Sequence, residues 1–342
     1  MSTPHWPPGT ATGIGSLPGE DPLEAARTVV GELPELPHLP ELPARGVGAD
    51  MIGRTAALLV DIAVEVMPSG YRVASHPGRD HRRGVDLLRT DLDALEEALD
   101  AVRPDWVKVQ AAGPWTLAAG VELRKGHRVL TDRGARREFA ASLAEGLAVH
   151  ADEVAKRTAA RVTVQLDEPT LPAVLAGSLS TPSGFGTVAP VPAAEVLELL
   201  REVIDALPAP VIVHCCAPKA PIALLRGAGA GAVALDATLV GSYPAALDAV
   251  GEAWDAGVPL LLGLVPSVRP DGPEPTLAQL ARPALDLADQ VGFARPRLAE
   301  LVVPTPTCGL AGATPDWARR AMALSRELGK AFVDPPETWS SS

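Results

Sequence analysis

Val211-Ile212-Val213-His214-Cys215-Cys216 is the stretch on which the fold turns. A short apolar, β-branched run of this kind reads as a buried strand. It ends on residues that do chemistry. The Ala/Leu-rich pattern over 193–206 before it reads as a helix, and another strand-like run, 232–236, follows it. This unit recurs along the chain. Candidate strands fall at 11–16, about 45–51, 105–111, 161–167, 210–215, 232–236, 259–264 and 300–304. Helical patterns occupy 22–31, 53–66, 91–102, 133–157, 193–206, 244–256, 276–290 and 315–330. Start signals mark some of them. Thr314-Pro315-Asp316 offers a cap followed by Pro at the first helical position, and Thr90-Asp91-Leu92-Asp93 offers caps and acidic first-turn residues.

Strict alternation of strand and helix predicts a parallel sheet, and the strands read as apolar on both faces, as a helix-covered sheet requires. Eight pairs predict an α/β fold with a single (β/α)8 TIM-type barrel rather than an open doubly wound sheet. The stretch 45–51 is the poorest strand of the set, with few β-branched residues. The Pro-rich segments 32–44, 178–191 and 266–275 read as loops, and no linker divides the chain. One domain is expected over 1–342, with a core of about 10–332 and short flexible termini.

The 342 residues are 47% hydrophobic but only 4% aromatic, so Ala, Val and Leu must supply most of the packing. A formal net charge of −12 excludes a basic nucleic-acid-binding face and an anionic-membrane binder. The start, Met1-Ser-Thr-Pro-His-Trp-Pro-Pro, lacks the basic and apolar regions of a signal peptide. The longest apolar runs are too short for a bilayer. A cytoplasmic protein with reduced cysteines is expected.

The cysteines number three: Cys215, Cys216 and Cys308. Side chains alternate across a strand, so His214 and Cys216 share one face and Cys215 points the other way. The competing interpretation is a core histidine beside small buried cysteines. Cys308 follows the last candidate strand, on the rim where barrel active sites lie, and Asp236 ends the strand next to the one carrying His214. His214, Cys216, Asp236 and Cys308 thus form a candidate Zn²⁺ site of one imidazole, two thiolates and one oxygen. A substrate thiol can displace the oxygen and be held as a thiolate. Asp167, in Asp167-Glu168-Pro169, sits at a strand's C-terminal end and reads as catalytic or substrate-binding, the alternative being a helix cap. Gly13-Ile14-Gly15-Ser16 offers backbone N–H groups to a carboxylate. Gly227-Ala-Gly229-Ala-Gly231 is not a dinucleotide fingerprint, because it joins a helix to a strand. His76, Arg79, His81, Arg82 and Arg83 read as a solvated loop or an anion-binding flap.

Taken in order, Thr12-Gly-Ile14-Gly-Ser16-Leu-Pro, Gly113-Pro114-Trp115-Thr116, Gln165-Leu-Asp167-Glu168-Pro169, His214-x-Cys216 and Cys308-Gly-Leu resemble the catalytic barrel of cobalamin-independent methionine synthase. The likeness runs over roughly 10–330 and points to the short, single-barrel form of that family, within the uroporphyrinogen decarboxylase/methionine synthase-like barrels. It implies a zinc-dependent S-methyltransferase that methylates homocysteine to methionine. It implies His214, Cys216 and Cys308 as ligands, with the family's glutamate falling at Asp236. It also implies that the Ile14–Ser16 backbone and Asp167 hold the amino-acid end of homocysteine. The methyl donor would be methyltetrahydrofolate or a methyl-corrinoid, the latter on a carrier protein.

The chain departs from folate-using members at four places. Their pterin-stacking Trp falls near Gly120, although Trp115 is close by. A Glu falls near Ala173, and the proton-donating His at Pro266-Ser267. The Glu that binds the substrate amino group falls near Arg45, upstream of Asp50-Met51. Loss of methyl from a folate amine needs a general acid and loss from corrinoid cobalt does not, so the missing His leans toward a corrinoid. Arg45 leaves room for a rival, a related alkyltransferase acting on another, acidic small thiol. A metal-free decarboxylase-like or binding-only barrel is the third alternative.

Overall fold

A computed structural model of the chain describes residues 6–100, 102–181, 184–336 and 339. Residues 1–5 and the end of the tail, for which flexible termini are expected, lie outside these. Nine strands are present among the described residues: β1 (Val64–Met67), β2 (Gly70–Val73), β3 (Trp106–Ala112), β4 (Val121–Glu122), β5 (Arg161–Asp167), β6 (Val211–Cys215), β7 (Ala232–Asp236), β8 (Leu260–Val265) and β9 (Val302–Pro306). Six of them form a curled parallel half-barrel in the order β3-β5-β6-β7-β8-β9. Their neighbours in space are their neighbours in sequence, each pair joined by a crossover containing one or more helices. These six are the strands expected from 105–111 onward, with ends shifted by a residue or two.

The first two expected strands turned out differently. Residues 45–51 are not a strand. They carry a 3₁₀ turn (Pro43–Arg45) and lead into the helix Met51–Ala56, capped by Asp50. The pairing at this edge is made instead by the Pro-rich stretch expected to be a loop. Lys108 N donates to Pro37 O (2.9 Å), and Leu39 N donates to Lys108 O (2.9 Å). On the other side Glu41 N donates to Gly15 O (3.1 Å) and Leu17 N to Glu41 O (2.8 Å). Thr12 N in turn donates to Pro304 O of β9 (3.3 Å). Residues 11–16 thus pair on both sides, but through isolated bonds rather than a ladder. Prolines at 34, 37, 40 and 43 have no N–H, so a continuous ladder cannot form here. Burial follows a period of three: Leu33, Leu36, Leu39 and Leu42 are each 1% exposed or less.

The expected helix 53–66 is cut short at Ala56, and the hairpin β1–β2, tied to β4, takes its place in a second, three-stranded sheet. The helix expected at 91–102 begins earlier, at Arg79, so His81, Arg82 and Arg83 lie in its first turns rather than in a loop. The other helices sit where expected, within a few residues.

The core has two parts. Val213, Cys215, Val233, Leu235, Leu260, Leu262 and Val302 face outward and join the large cluster beneath the helices. Ile212, Ala232, Ala234, Leu261 and Val303 face inward and pack on one another, with Trp6 against them. The inner face is apolar only on that side. On β3 and β5 the alternate positions Lys108, Gln110, Thr163, Gln165 and Asp167 are buried and polar, so the expectation of strands apolar on both faces fails there. Among the described residues no helix is long and apolar enough to cross a membrane.

Candidate metal centre

β5 and β6 are in register with Asp167 opposite His214, so the two side chains meet. Asp167 Oδ1 lies 2.7 Å from His214 Nδ1. The next residue on that face past the end of β6 is Cys216, whose Sγ lies 3.2 Å from Cys308 Sγ. Cys308 is carried inward by the turn after β9. Its approach depends on Gly263 of β8, where a Cβ would stand 2.6 Å from Thr307 Cα. The register between β8 and β9 slips at this point, and Thr307 N bonds Val265 O at 2.8 Å. One ligand atom each from His214, Cys216 and Cys308 then falls within 4.8 Å of the others. His214 is 3% exposed, and its Nε2 is buried with no hydrogen-bond partner. A buried, unpartnered imidazole nitrogen beside two thiols is a donor set that could hold a metal ion. Nδ1 held by a carboxylate is the arrangement that ligating histidines ordinarily show.

Electrostatics separate the two thiols. The hydrogen bond shared with Cys216, helped by the nearby His214, pulls Cys308 down to about 6, while burial opposes it. Cys216, sharing that bond and half-buried, is pushed well above the ordinary cysteine range. Cys215 points away into the outer core, and burial raises it to about 11.

Asp236 is not part of the group. Its carboxylate accepts from Thr238 N (2.9 Å) and Thr238 Oγ1 (2.7 Å), capping the short 3₁₀ turn after β7. Ile14 offers its carbonyl to Lys108 Nζ and to Gln165 Nε2, both at 2.9 Å. Ser16 O accepts from Leu310 N at 2.8 Å, which ties the Gly13–Ser16 stretch to the turn carrying Cys308. Glu168 acts structurally: it accepts from Trp115 N (2.9 Å), Thr116 N (2.8 Å) and Thr116 Oγ1 (2.8 Å), holding the start of the helix Pro114–Gly120. Burial raises Glu168 to about 7 against those bonds.

The positions of departure also resolve. Gly120 packs on Ile52, whose Cδ1 would lie 2.7 Å from a Cβ at that position. Trp115 is fully buried and donates its indole N–H to Val196 O (3.3 Å), so it offers no stacking face. Pro266 O accepts from the Trp317 indole at 3.0 Å. Arg45 bonds Asp91 at 2.8 Å, with a longer contact to Leu42 O, so its guanidinium is already engaged.

Glu41 was missed by the sequence reading. It lies in the Pro-rich segment 32–44, which reads as a loop, yet it is buried, and its field reaches Asp167. Burial raises it to about 7, partly offset by Arg54, whose Nε is 3.9 Å away. Lys108, fully buried, was missed as well. Burial lowers it to about 8, while Asp167 and Glu41 act to raise it. The signal was present in Val107-Lys108-Val109-Gln110: a charged and a polar residue at alternate positions of an otherwise apolar strand.

Residues 9–331 match the model of a family described as the cobalamin-independent synthase catalytic domain. Among solved structures the chain is similar to a B12-independent methionine synthase from Shewanella sp. W3-18-1 in complex with selenomethionine. Identity is 12%, coverage 96% of this chain and 98% of that one, and the TM-score 0.58. It is also similar to a methyltransferase from Methanosarcina mazei at 15% identity, 94% coverage of both chains and a TM-score of 0.56. At these identities the likeness is one of fold. A comparison with curated proteins gives no match.

Proposed function

The chain belongs to the cobalamin-independent synthase catalytic-domain family, and on that premise we propose that it is a zinc-dependent S-methyltransferase whose acceptor is homocysteine. The observation that carries this reading is the convergence of a His214 ring nitrogen with Cys216 Sγ and Cys308 Sγ, together with a buried His214 Nε2 that has no hydrogen-bond partner. His214, Cys216 and Cys308 are the ligands. Asp236, on the neighbouring strand, becomes a fourth only by releasing Thr238. When bound there, zinc lowers the pKa of a thiol that joins it, making a thiolate available at neutral pH.

The chain's own residues bind and orient the acceptor. Asp167 Oδ1 is taken by Gln165 and His214, which leaves Oδ2 for the substrate ammonium. Glu41 supplies the second carboxylate beside it. The Ile14–Ser16 backbone takes the substrate carboxylate. The acceptor sulfur then forms its bond to the methyl carbon as the donor's bond to that carbon breaks. A methyl-corrinoid donor, free or on a carrier protein, fits better than methyltetrahydrofolate. Pro266-Ser267 provides no acid, Gly120 no stacking ring, and Trp115 is turned away. In this reading the segments 10–17 and 36–42 complete an eight-membered (β/α)8 ring, supported by the bonds from Pro304 through Thr12, Gly15, Glu41 and Leu39 to Lys108.

The test is metal content of the purified chain, wild type beside Cys308→Ser. About one zinc per chain, lost in the variant, is expected. A reduced wild type that takes up no zinc refutes the reading. With zinc present, methyl transfer to homocysteine from methylcobalamin and from methyltetrahydrofolate identifies the donor.

A further inference from the structure

Asp91, buried on the helix Arg79–Leu99, takes two guanidinium groups: Arg45 at 2.8 Å, and Arg54 through Nη1. Arg54 is itself buried, on the short helix Met51–Ala56. Its Nε has no hydrogen-bond partner and lies 3.9 Å from Glu41 Oε1. Glu41 is held in place by its backbone, where its N donates to Gly15 O and its O accepts from Leu17 N. We propose that Arg54 is a positioning residue: anchored on Asp91, it supplies the positive charge against which Glu41 stands as a carboxylate in the substrate site.

A guanidinium keeps its charge at any working pH, and one carboxylate cancels only one of them. Arg45 and Arg54 against Asp91 therefore leave one positive charge over. A buried charge calls for a counter-charge. Among the described residues, Glu41 is the other carboxylate within ion-pair reach of Arg54. Lys108 does not fill the same place. Burial lowers it, and of the two carboxylates opposing this, Asp167 acts more strongly than Glu41. The two cations thus divide the two carboxylates, Lys108 with Asp167 and Arg54 with Glu41. The same division is visible from Glu41. Burial pushes it up to about 7; Arg54 is the strongest group drawing it back, ahead of Lys108 and Gln110, while Asp167 opposes. On its other side Arg54 faces the buried His150, which burial chiefly, and Arg54 in addition, holds neutral. An ammonium group arriving beside Glu41 and Asp167 then meets two carboxylates rather than one carboxylate and one acid. What Glu41 does for the substrate rests on the homocysteine reading; its state of charge does not.

The full-length chain, labelled with ¹³C at the glutamate side-chain carboxyls, is titrated by NMR between about pH 5 and 9, with Glu41 assigned by loss in Glu41→Gln. In wild type Glu41 should be mostly carboxylate by about pH 8. Arg54→Met, which leaves Asp91 paired with Arg45, should move its midpoint up by about one pH unit or more. Arg54→Gln carries the test if Arg54→Met fails to fold. A wild-type Glu41 still protonated at that pH, or a midpoint unmoved in a folded variant, overturns the proposal. Affinity for L-methionine, measured by calorimetry with and without zinc, is the second readout. At neutral pH it should fall about tenfold in the variant, and recover as the pH is raised. In a Glu41→Gln background Arg54→Met should cause no further loss. A loss of equal size at every pH, or one that adds in full to that of Glu41→Gln, overturns the role toward the substrate. A wild type that binds no methionine at any pH, while the Glu41 midpoint still moves with Arg54, refutes the homocysteine reading and leaves the Arg54–Glu41 pair standing.

Discussion

At the scale of single residues, chemistry that follows strand alternation was legible and chemistry that depends on partners was not. His214 and Cys216 were assigned to one face and Cys215 to the other from parity alone, and the structure places them so. Asp167 and Glu168, adjacent in sequence, could not be told apart by position. One turns inward to His214, and the other, fully buried, holds a helix start. Glu168→Gln replaces an acceptor oxygen with an amide nitrogen facing donors, so at least one of its three bonds is lost. A destabilisation of about 1–3 kcal/mol is expected. Urea unfolding checks it, and an unchanged midpoint would mean that another group, or water, takes over the orphaned donors.

Among elements, the clearest lesson is the stretch Pro34–Pro43. Prolines at every third position hid a pairing segment, because the usual strand signals are β-branched residues and period two. The buried leucines were spaced by three instead, and the donors were confined to the residues between prolines. The β1–β2 hairpin was hidden for the opposite reason: Ala56 to Val66 carries a helical-looking run of Ala, Leu and Val that turns at 57–63. What forces that turn is packing on the long helix Arg133–Thr158, where Gly146 lets the chain pass. A Cβ at Gly146 would stand 1.8 Å from Leu58 O. Alanine favours helices over glycine by about 1 kcal/mol, but overpacking against a backbone carbonyl costs about 1–3 kcal/mol. Gly146→Ala should therefore lower the melting temperature; a rise would show that the 57–63 turn yields easily.

Across the whole molecule, the order of elements from β3 to β9 was legible because each unit is a local pattern. The bonding at the half-barrel's two edges was not, because it consists of isolated bonds to the irregular segments around Thr12 and Leu39. Global stability has an acid-sensitive component of its own. His150, on the helix Arg133–Thr158, is buried, and burial, with the Arg54 charge nearby, lowers it to about 4. In the unfolded chain it titrates near 6.5. Between those values the unfolded state binds the proton and the folded state does not. The contribution is thus complete above pH 6.5 and is lost as pH falls toward 4, at up to about 1.4 kcal/mol per pH unit. Urea unfolding of wild type and His150→Leu across that window should show the wild type losing stability faster on acidification; parallel curves would rule His150 out as the cause. The spacing of the metal-centre residues also bears on how the protein is made. Cys216 and Cys308 are 92 residues apart in sequence, and the second arrives in the turn after the last strand of the half-barrel. During synthesis the ribosome exposes His214 and Cys216 long before their third partner, so a nascent chain carries an incomplete pair and cannot retain an ion by all three. On the proposed metal reading, loading is a late event coupled to docking of β9, and a chain stalled before that point has Cys216 without Cys308 beside it.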